Sequence, residues 1–419
     1  MRSALPTAEL FAAHGAVAGA LLIALMFAIT LVPGLVPALM VASLIALVVR
    51  HGRSKAQRAY PPSGSVLFWC VPLYAMYLIG LIWSVDMDYA WFDLGIKAGM
   101  GVVPLVVWLI PLGSRKGGND LMAWYVGANV LAVALCCAVA IARAVYERFS
   151  GGPVFGPANF IASRFSLFLH PSYFALQACF ALVIAGFEDR PVVTGRVRAT
   201  VAAVLLIGIL LCGSKMGWAA LAVLFAFQIA SGWNSPRKRR IMLLAGVALV
   251  ALFSLLVVVS PYMREKVDQL VDVGSGKRPS PEATGSSEVR ELVWHAGGQL
   301  LRENWLIGTG TGDVKDELLA RYAQLGYSHP LKVRLNAHSQ LLQTPLTIGI
   351  AGAVLMALML LVPLVRSLRA RDMTAALFVL LLALNWAVES MLEVQAGVVF
   401  LVFGAFMLLL RSRPDPDAA

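Results

Sequence analysis

The polar stretch that decides the fold begins near Ser260 and ends in Asn336-Ala337-His338-Ser339-Gln340-Leu341-Leu342-Gln343. Apolar runs long enough to cross a bilayer as helices lie on both sides of it, near 241–259 and 339–365. A polar segment between two such runs predicts a loop domain held at a membrane surface. We expect the chemistry of the protein in this loop domain.

The composition is typical of a membrane protein. Of the 419 residues, 59% are hydrophobic and 14% are charged, which lies outside the usual range of soluble domains. The net charge of +11 would suit a nucleic-acid binder, but the basic residues form short clusters between apolar runs, as topology signals do. No nucleic-acid partner is therefore expected. The five cysteines all lie in apolar runs, so we expect small apolar residues and not disulfides or zinc ligands.

Twelve apolar runs approach the length of a membrane-spanning helix. They lie near 11–31, 35–49, 64–83, 90–112, 120–146, 170–187, 197–213, 216–233, 241–259, 339–365, 373–390 and 394–410. The predicted fold class is an all-α polytopic membrane protein with about 12 transmembrane helices. Its predicted parts are nine helices over 1–259, the loop domain over 260–337, three helices over 338–411 and a tail over 412–419.

Basic residues predict the orientation, because they follow every even-numbered run. They are Arg50, Arg53, Lys55 and Arg58, then Arg115 and Lys116, Arg190, Arg196 and Arg198, Arg237, Lys238, Arg239 and Arg240, Arg366, Arg369 and Arg371, and finally Arg411 and Arg413. Short exits after odd-numbered runs, such as 84–93 and 389–395, carry acids. Both termini are therefore expected in the cytoplasm and the loop domain in the periplasm of a Gram-negative cell, with a disordered tail after Arg413.

The loop domain is predicted to contain two helices. Proline and glycine from Pro261 to Pro281 indicate an irregular first part. An amphipathic helix is predicted over about 288–303, because apolar residues recur there at helical spacing. Asp313 is placed to cap a second helix, which Gly326 would end.

Two motifs imitate ligand sites. Gly308-Thr309-Gly310-Thr311-Gly312 looks like a phosphate cradle, but no Gly-Lys-Ser/Thr follows it, so a P-loop is not expected. Asp86-Met87-Asp88 offers carboxylates to a divalent metal, but no further carboxylate lies near enough in sequence to complete a site. A solvated acidic turn is preferred, and no metal is expected.

Several polar residues stand where a bilayer makes them costly. Lys215 lies between two apolar runs with almost no polar linker, which favours a functional role over a snorkelling lysine. Arg164 precedes the sixth run, where function and interfacial anchoring are balanced. Anchoring is the better explanation for His170 and Tyr173 in His170-Pro171-Ser172-Tyr173.

Two further candidates belong to the loop domain. Arg290 lies one turn before Trp294 on the predicted helix, where a solvated helix face explains it equally well. His338 stands where the chain re-enters the membrane, and a neutral imidazole is suited to accept a proton near pH 7. Capping or packing is the commoner role of a single histidine at a helix start.

Taken together, these stretches resemble the O-antigen ligase and O-antigen polymerase family of bacterial membrane glycosyltransferases. The resemblance covers the topology of most of the chain, and its motifs lie in 164–173, 213–217 and 290–343. The order of Arg290, Trp294, Gly308-Thr309-Gly310 and 338–343 is similar to the family's Arg, Trp, Gly-x-Gly and His-Asn-x-x-Leu-Gln. Lys215 and Ser339 stand where the family often has Arg and Asn.

The resemblance implies a GT-C-like fold and a metal-independent, inverting glycosyltransferase that needs no cofactor. It implies O-antigen on undecaprenyl diphosphate as the donor and lipid A-core as the acceptor, in contact with membrane lipids. His338 would be the base, and Arg290, Lys215 and Arg164 would bind the donor diphosphate. The weaker candidates are Glu389, His170, Tyr173 and Arg334. Glu389 would orient His338 or the acceptor, or it is an interfacial acid.

Other functions stay open at this stage. A polymerase would use the same donor and a second lipid-linked repeat as acceptor. A protein O-oligosaccharyltransferase is disfavoured, because the chain shows one large loop and no extra periplasmic domain. A secondary transporter stays an alternative because Lys215 lies at a helix break, although the sequence shows no internal repeat.

Overall fold

The computed structural model describes residues 8–51, 61–109, 115–151, 157–188, 192–232, 235–274 and 279–411. These residues form helices and contain no strand, so the all-α prediction is confirmed for this part of the chain. The tail over 412–419 and five of the predicted topology residues lie outside the described residues. The five are Arg53, Lys55, Arg58, Arg190 and Arg413.

Eighteen α-helices occur in the described part, and we number them in chain order. They are α1 (Ala8–His14), α2 (Ala16–Leu31), α3 (Val36–His51), α4 (Val66–Ile79), α5 (Met87–Lys97), α6 (Gly99–Leu109), α7 (Arg115–Phe149), α8 (Pro171–Phe187), α9 (Gly195–Leu211), α10 (Lys215–Gly232), α11 (Pro236–Val259), α12 (Pro261–Gly274), α13 (Ser286–Glu303), α14 (Val314–Leu325), α15 (Ser328–Lys332), α16 (Gln340–Arg369), α17 (Met373–Val388) and α18 (Gln395–Arg411).

The predicted apolar runs are helical, in agreement with a polytopic membrane protein. Four helices of the described part are long and apolar enough to cross a membrane, namely Pro33–His51, Val66–Trp83, Gly117–Phe149 and Gln340–Arg369. The number rises to six if two bent pairs each count as one span, Met87–Lys97 with Gly99–Leu109 and Leu243–Val259 with Pro261–Gln269. Five shorter apolar helices are Ala16–Leu31, Pro171–Phe187, Lys215–Ala230, Met373–Val388 and Gln395–Arg411.

The loop-domain helices agree with the pattern in the sequence. α13 covers the predicted helix, and its apolar face is buried through Val289, Leu292, Val293, Ala296 and Leu300. α14 ends at Gly326, whose φ of 70° is the left-handed conformation that glycine adopts most readily. Asp313 precedes α14 but makes no side-chain cap to it. Its carboxylate instead accepts the backbone N–H groups of Val85 and Asp86, each at 2.8 Å.

The prediction of irregular chain from Pro261 onward is wrong for its first part, since α12 covers Pro261–Gly274. The reason is local. The Ser260 hydroxyl accepts the N–H of Met263 at 3.3 Å, as an N-cap does, and proline is well suited to the first position of a helix. The sequence shows Pro261 as a breaker only when its capping neighbour is overlooked. Residues 275–278 lie outside the described residues, and Pro279-Ser280-Pro281 is not helical.

α16 is broken in its first half, at Ile348 and Gly349, where the backbone leaves the helical conformation. The break frees backbone groups that the segment Trp305–Gly310 then satisfies. The N–H of Thr309 donates to the Leu346 carbonyl at 2.8 Å, and the N–H of Gly310 to the Thr347 carbonyl at 3.0 Å. The N–H of Ile350 donates in return to the Leu306 carbonyl at 3.3 Å.

The close approach explains two of the glycines. A Cβ on Gly308 would lie 2.4 Å from the Thr347 carbonyl oxygen, and one on Gly349 would lie 2.2 Å from that of Leu306. Both residues also have positive φ. The segment Trp305–Gly310, which contains the Gly-x-Gly stretch, therefore acts as a splint: it pairs with backbone groups at the break in α16. This role agrees with the expectation that the stretch is not a P-loop.

Contacts within the chain divide it into two compact units. The first contains 1–29, 34–122 and 275–419, and so includes α13 to α18. The second contains 30–33 and 123–274, and so includes α8 to α12.

Candidate active site

The centre of the candidate site is Glu389, which lies in the first unit between Arg290 and His338. Its Oε1 accepts a hydrogen bond from Nη2 of Arg290 at 2.8 Å. Its Oε2 lies 3.7 Å from Nδ1 of His338. The structure thus brings together three of the residues that the sequence proposed, one of them only as a weak candidate.

Glu389 is positioned by backbone contacts between the end of α17 and the start of α16. The N–H of Gln340 donates to the Glu389 carbonyl at 3.1 Å. The N–H of Ser339 donates to the Ser390 hydroxyl, and the Ser339 hydroxyl donates to the Trp386 carbonyl, both at 3.2 Å. Serine at position 339 therefore ties the two helix ends together beside His338.

His338 has an unusual backbone conformation, with φ of 45°. Its N–H donates to the side-chain oxygen of Asn336 at 3.0 Å, and its carbonyl accepts the indole N–H of Trp294 at 3.4 Å. Non-glycine residues in this region are uncommon, and they concentrate at functional sites where the surroundings hold them in place. Asn336 and Trp294 are the surroundings that hold His338.

The His338 side chain has one nitrogen directed to Glu389. Nδ1 is buried, lies 3.7 Å from Oε2 of Glu389 and makes no hydrogen bond to any of the described residues. Catalytic hydrogen bonds are often long before a substrate binds. A proton on Nδ1 facing the carboxylate would leave Nε2 as the acceptor, which is the state that a general base requires.

Arg290 is held on three sides. Its Nε donates to the Val388 carbonyl at 3.2 Å, Nη1 to the Ser286 carbonyl at 3.4 Å, and Nη2 to Glu389. A guanidinium carries five N–H donors, and this side chain is 23% exposed. Arg290 therefore orients Glu389 and retains donors for an anionic ligand.

The side chains of Gln340 and Gln343, in the first turn of α16, form a supporting layer next to the site. Oε1 of Gln343 accepts the N–H of Ala337 at 2.9 Å. Oε1 of Gln340 accepts the N–H of Leu392 at 2.6 Å, and its Nε2 donates to the Thr344 hydroxyl at 2.9 Å. The two glutamines of the His338–Gln343 motif thus have structural roles.

Sequence reasoning missed a buried charge cluster near this layer. Lys97 is fully buried and forms ion pairs with Asp93 and with Glu393, the latter at 3.0 Å. Its ammonium lies 4.8 Å from the centre of the Tyr77 ring, and the Tyr77 hydroxyl is 2.8 Å from that of Thr344. The signal was present in the sequence, because Asp93 and Lys97 are four residues apart in an apolar run.

Two of the proposed cations, Lys215 and Arg164, belong to the second unit. Lys215 is the first residue of α10, and its ammonium donates to the side-chain oxygen of Gln269 on α12 at 2.9 Å. Arg164 donates to the side-chain oxygen of Asn159 at 3.0 Å and lies 3.5 Å from a carboxylate oxygen of Glu147. Each cation therefore has a polar partner in its own unit.

The remaining weak candidates have structural contacts. Nδ1 of His170 accepts the N–H of Ser172 at 3.4 Å and so caps α8, with the Tyr173 ring 6.3 Å away. Arg334 is exposed and lies 3.5 Å from Asp316. Asp86, considered for a metal, accepts the N–H of Tyr89 at 3.0 Å and caps α5.

An ion pair on the loop domain joins α13 to α14. Arg321 donates through Nη1 to Glu303 at 2.9 Å and makes a second contact through Nη2. The hydrogen bonds from Arg321 hold the pKa of the Glu303 carboxyl below its ordinary value. Burial raises the pKa of the neighbouring Tyr322 hydroxyl. The helix that carries Arg290 is thus fixed to α14.

The comparison with known families agrees with these motifs. Residues 200–357 match the family model described as O-antigen ligase, and the match includes Lys215, Arg290 and His338. No curated protein matches the chain. Over residues 200–357 the chain is therefore similar to the O-antigen ligase family.

Proposed function

We propose that the protein is an O-antigen ligase, which transfers O-antigen polysaccharide from undecaprenyl diphosphate to a sugar hydroxyl of lipid A-core. The observation that carries the proposal is the contact of Glu389 with both Arg290 and His338, inside and beside the region of the family match. A base next to a cation suits a reaction in which a hydroxyl attacks and a diphosphate leaves.

The proposal includes the location. The apolar helices support about 12 spans in the inner membrane, in which the shorter apolar helices also cross, and the resemblance implies that these spans form a GT-C-like fold. The basic residues between the helices support cytoplasmic termini and a periplasmic loop domain. The reaction then takes place on the periplasmic face, where lipopolysaccharide is completed.

In the proposed mechanism His338 is the general base. The acceptor oxygen attacks the anomeric carbon of the donor sugar from the side opposite the diphosphate, which inverts that carbon. The proton of the hydroxyl passes to Nε2 of His338, and the bond from the anomeric carbon to the diphosphate breaks with its electron pair on the leaving oxygen. Glu389 stabilises the imidazolium that forms, because its carboxylate faces Nδ1.

The leaving diphosphate needs positive charge and no metal in this mechanism. Arg290 would bind the diphosphate through the guanidinium N–H groups that its three protein contacts do not use. Lys215 and Arg164 would supply two further cations. Arg164 would exchange its contact with Glu147 for a phosphate oxygen. Stabilising a charge that develops in the transition state is a large contribution in acyl and phosphoryl transfer enzymes, and the same argument applies here.

The test is ligation with purified protein, lipid-linked O-antigen and O-antigen-free lipopolysaccharide, in EDTA. We expect sugar on lipid A-core with the wild type and with His329→Ala, a loop-domain control, but not with His338→Ala. Transfer by correctly folded His338→Ala at the wild-type rate would refute the base. Dependence of the wild type on magnesium would refute the metal-free mechanism.

The same assay separates the alternatives. Lengthening of undecaprenyl-linked chains without transfer to the core would identify a polymerase. Glycan on an added protein acceptor would identify a protein O-oligosaccharyltransferase. Movement of an intact lipid-linked glycan across the membrane, with no new glycosidic bond, would identify a transporter.

A further inference from the structure

The segment Trp305–Gly310 lies at a definite level along α16. A hydrocarbon core about 30 Å thick corresponds to about 20 helical residues. Arg366 and Arg369 are the charged residues at one end of α16. A core that begins at Arg366 would end near Leu346, to which the segment is hydrogen bonded. With the core placed in this way, the segment lies at the edge of the hydrocarbon, on the membrane side of the first residues of α16.

The side chains of the segment suit that level. Trp305, Leu306 and Ile307 are 57%, 57% and 53% exposed, and they are consecutive. The hydrogen bond from Ile350 to the Leu306 carbonyl places them beside Ile350, which is exposed on α16 together with Val354. They thus extend the apolar surface of a helix that is itself long enough to span a membrane.

A second span supports the other end of the segment. A Cβ on Gly310 would lie 3.3 Å from the Trp83 ring, so the backbone packs against the end of the Val66–Trp83 helix. Ile82 of that helix is also exposed. Exposed apolar residues therefore lie on both of the candidate spans that the segment contacts.

The N–H groups of Gly308, Thr309 and Gly310 and the Leu306 carbonyl are paired with protein, as a lipid environment requires. Non-helical chain at membrane depth is tolerated only where its N–H and C=O groups are satisfied by protein. The N–H of Gly308 donates to the Asn304 carbonyl at 2.9 Å, and Thr309 and Gly310 donate to α16. The Thr309 hydroxyl also donates to the Leu346 carbonyl, at 3.1 Å.

We propose that Trp305, Leu306 and Ile307 insert among the acyl chains of membrane lipids at the edge of the hydrocarbon core. The occupant of this surface is bilayer lipid, and Trp305 lies at the headgroup boundary, where tryptophan is enriched. The loop domain is thus partly embedded and not wholly aqueous. The embedded segment pairs with backbone groups at the break in α16. The inference does not depend on the reaction.

A nitroxide label tests the proposal in protein reconstituted into phosphatidylethanolamine and phosphatidylglycerol bilayers. Leu306→Cys and Ile307→Cys, each labelled in a background without the five native cysteines, are compared with Val354→Cys on α16. Leu331→Cys is the matched control, since Leu331 is an exposed leucine on α15 of the same loop domain. We expect both segment labels to collide with oxygen more than with a water-soluble nickel complex, as Val354→Cys does. The reverse preference, as expected for Leu331→Cys, would overturn the proposal.

A second measurement needs no cysteine replacement. The fluorescence of wild-type protein minus that of Trp305→Phe isolates Trp305 among the tryptophans. We expect lipids brominated near the carbonyl end of their acyl chains to quench this difference signal, and iodide in the aqueous phase to leave it nearly unchanged. Quenching by iodide alone would overturn the proposal.

Discussion

Replacing Glu389 with glutamine removes a charge from the site and keeps its shape. The glutamine oxygen can still accept from Arg290, so the 2.8 Å contact survives without its ionic part. What is lost is the attraction between the carboxylate and the imidazolium that forms on His338 at 3.7 Å. Coulomb's law gives about 4 kcal/mol at this separation for an effective dielectric constant of about 20.

That value needs a discount, because the His338 side chain is 28% exposed and water screens part of the field. About half of it, roughly 2 kcal/mol, corresponds to a loss of about 30-fold in kcat. The KM values for both lipids should change little, since the charge acts mainly in the transition state.

The assay is steady-state ligation with each lipid varied in turn. Glu291→Gln is the matched control, because Glu291 is an exposed acid next to Arg290 on α13. We expect wild-type kcat from the control. The reasoning fails if Glu389→Gln also has wild-type kcat, if its loss appears wholly in KM, or if Glu291→Gln loses the same factor.

Four further substitutions test the contacts and the proposed roles. Arg290→Ala and Lys215→Ala should each raise the activation free energy for reaction with the donor by about 3 kcal/mol. An unchanged kcat/KM for the donor would contradict the diphosphate role. Gly308→Ala should destabilise the protein by about 1–3 kcal/mol, because its Cβ would meet the Thr347 carbonyl. Thermal unfolding in detergent measures this, with Gly298→Ala as a control at an open position, and equal Tm values would refute the splint. Lys97→Met should destabilise the folded protein by about 3–5 kcal/mol, since it leaves the buried carboxylates of Asp93 and Glu393 together without their cation. A wild-type unfolding midpoint would show that the cluster does not consist of a charged lysine and two carboxylates.

Much of the helical structure follows from local pattern. The apolar runs are helices because a hydrophobic stretch that leaves water must satisfy its backbone internally. α13 is predicted because its apolar residues recur at helical spacing, and α14 because Asp313 is placed to cap a helix that Gly326 would end. The departure from the prediction at Pro261 is also local, since the Ser260 hydroxyl caps the helix that this proline begins.

The candidate site was only partly predictable. The resemblance assigned roles to Arg290 and His338, and a weaker one to Glu389 beside His338, but gave no geometric reason to join all three. The joining residue, Glu389, lies 99 positions from Arg290 in the chain. The spacing of Asp93 and Lys97 is a local signal of an ion pair, but it does not show that Glu393, distant in the chain, joins them.

The sequence by itself therefore determined which segments are helical, which are apolar and where the polar loop domain lies, since these depend on residues within a few turns of one another. Only the tertiary structure decided that Glu389 lies between Arg290 and His338, that Lys97 forms ion pairs with two acids, and that Thr309 and Gly310 donate hydrogen bonds to α16. Pairing of charges and of freed backbone groups depends on which distant segments meet, and the requirement that buried polar groups be satisfied selects among those meetings.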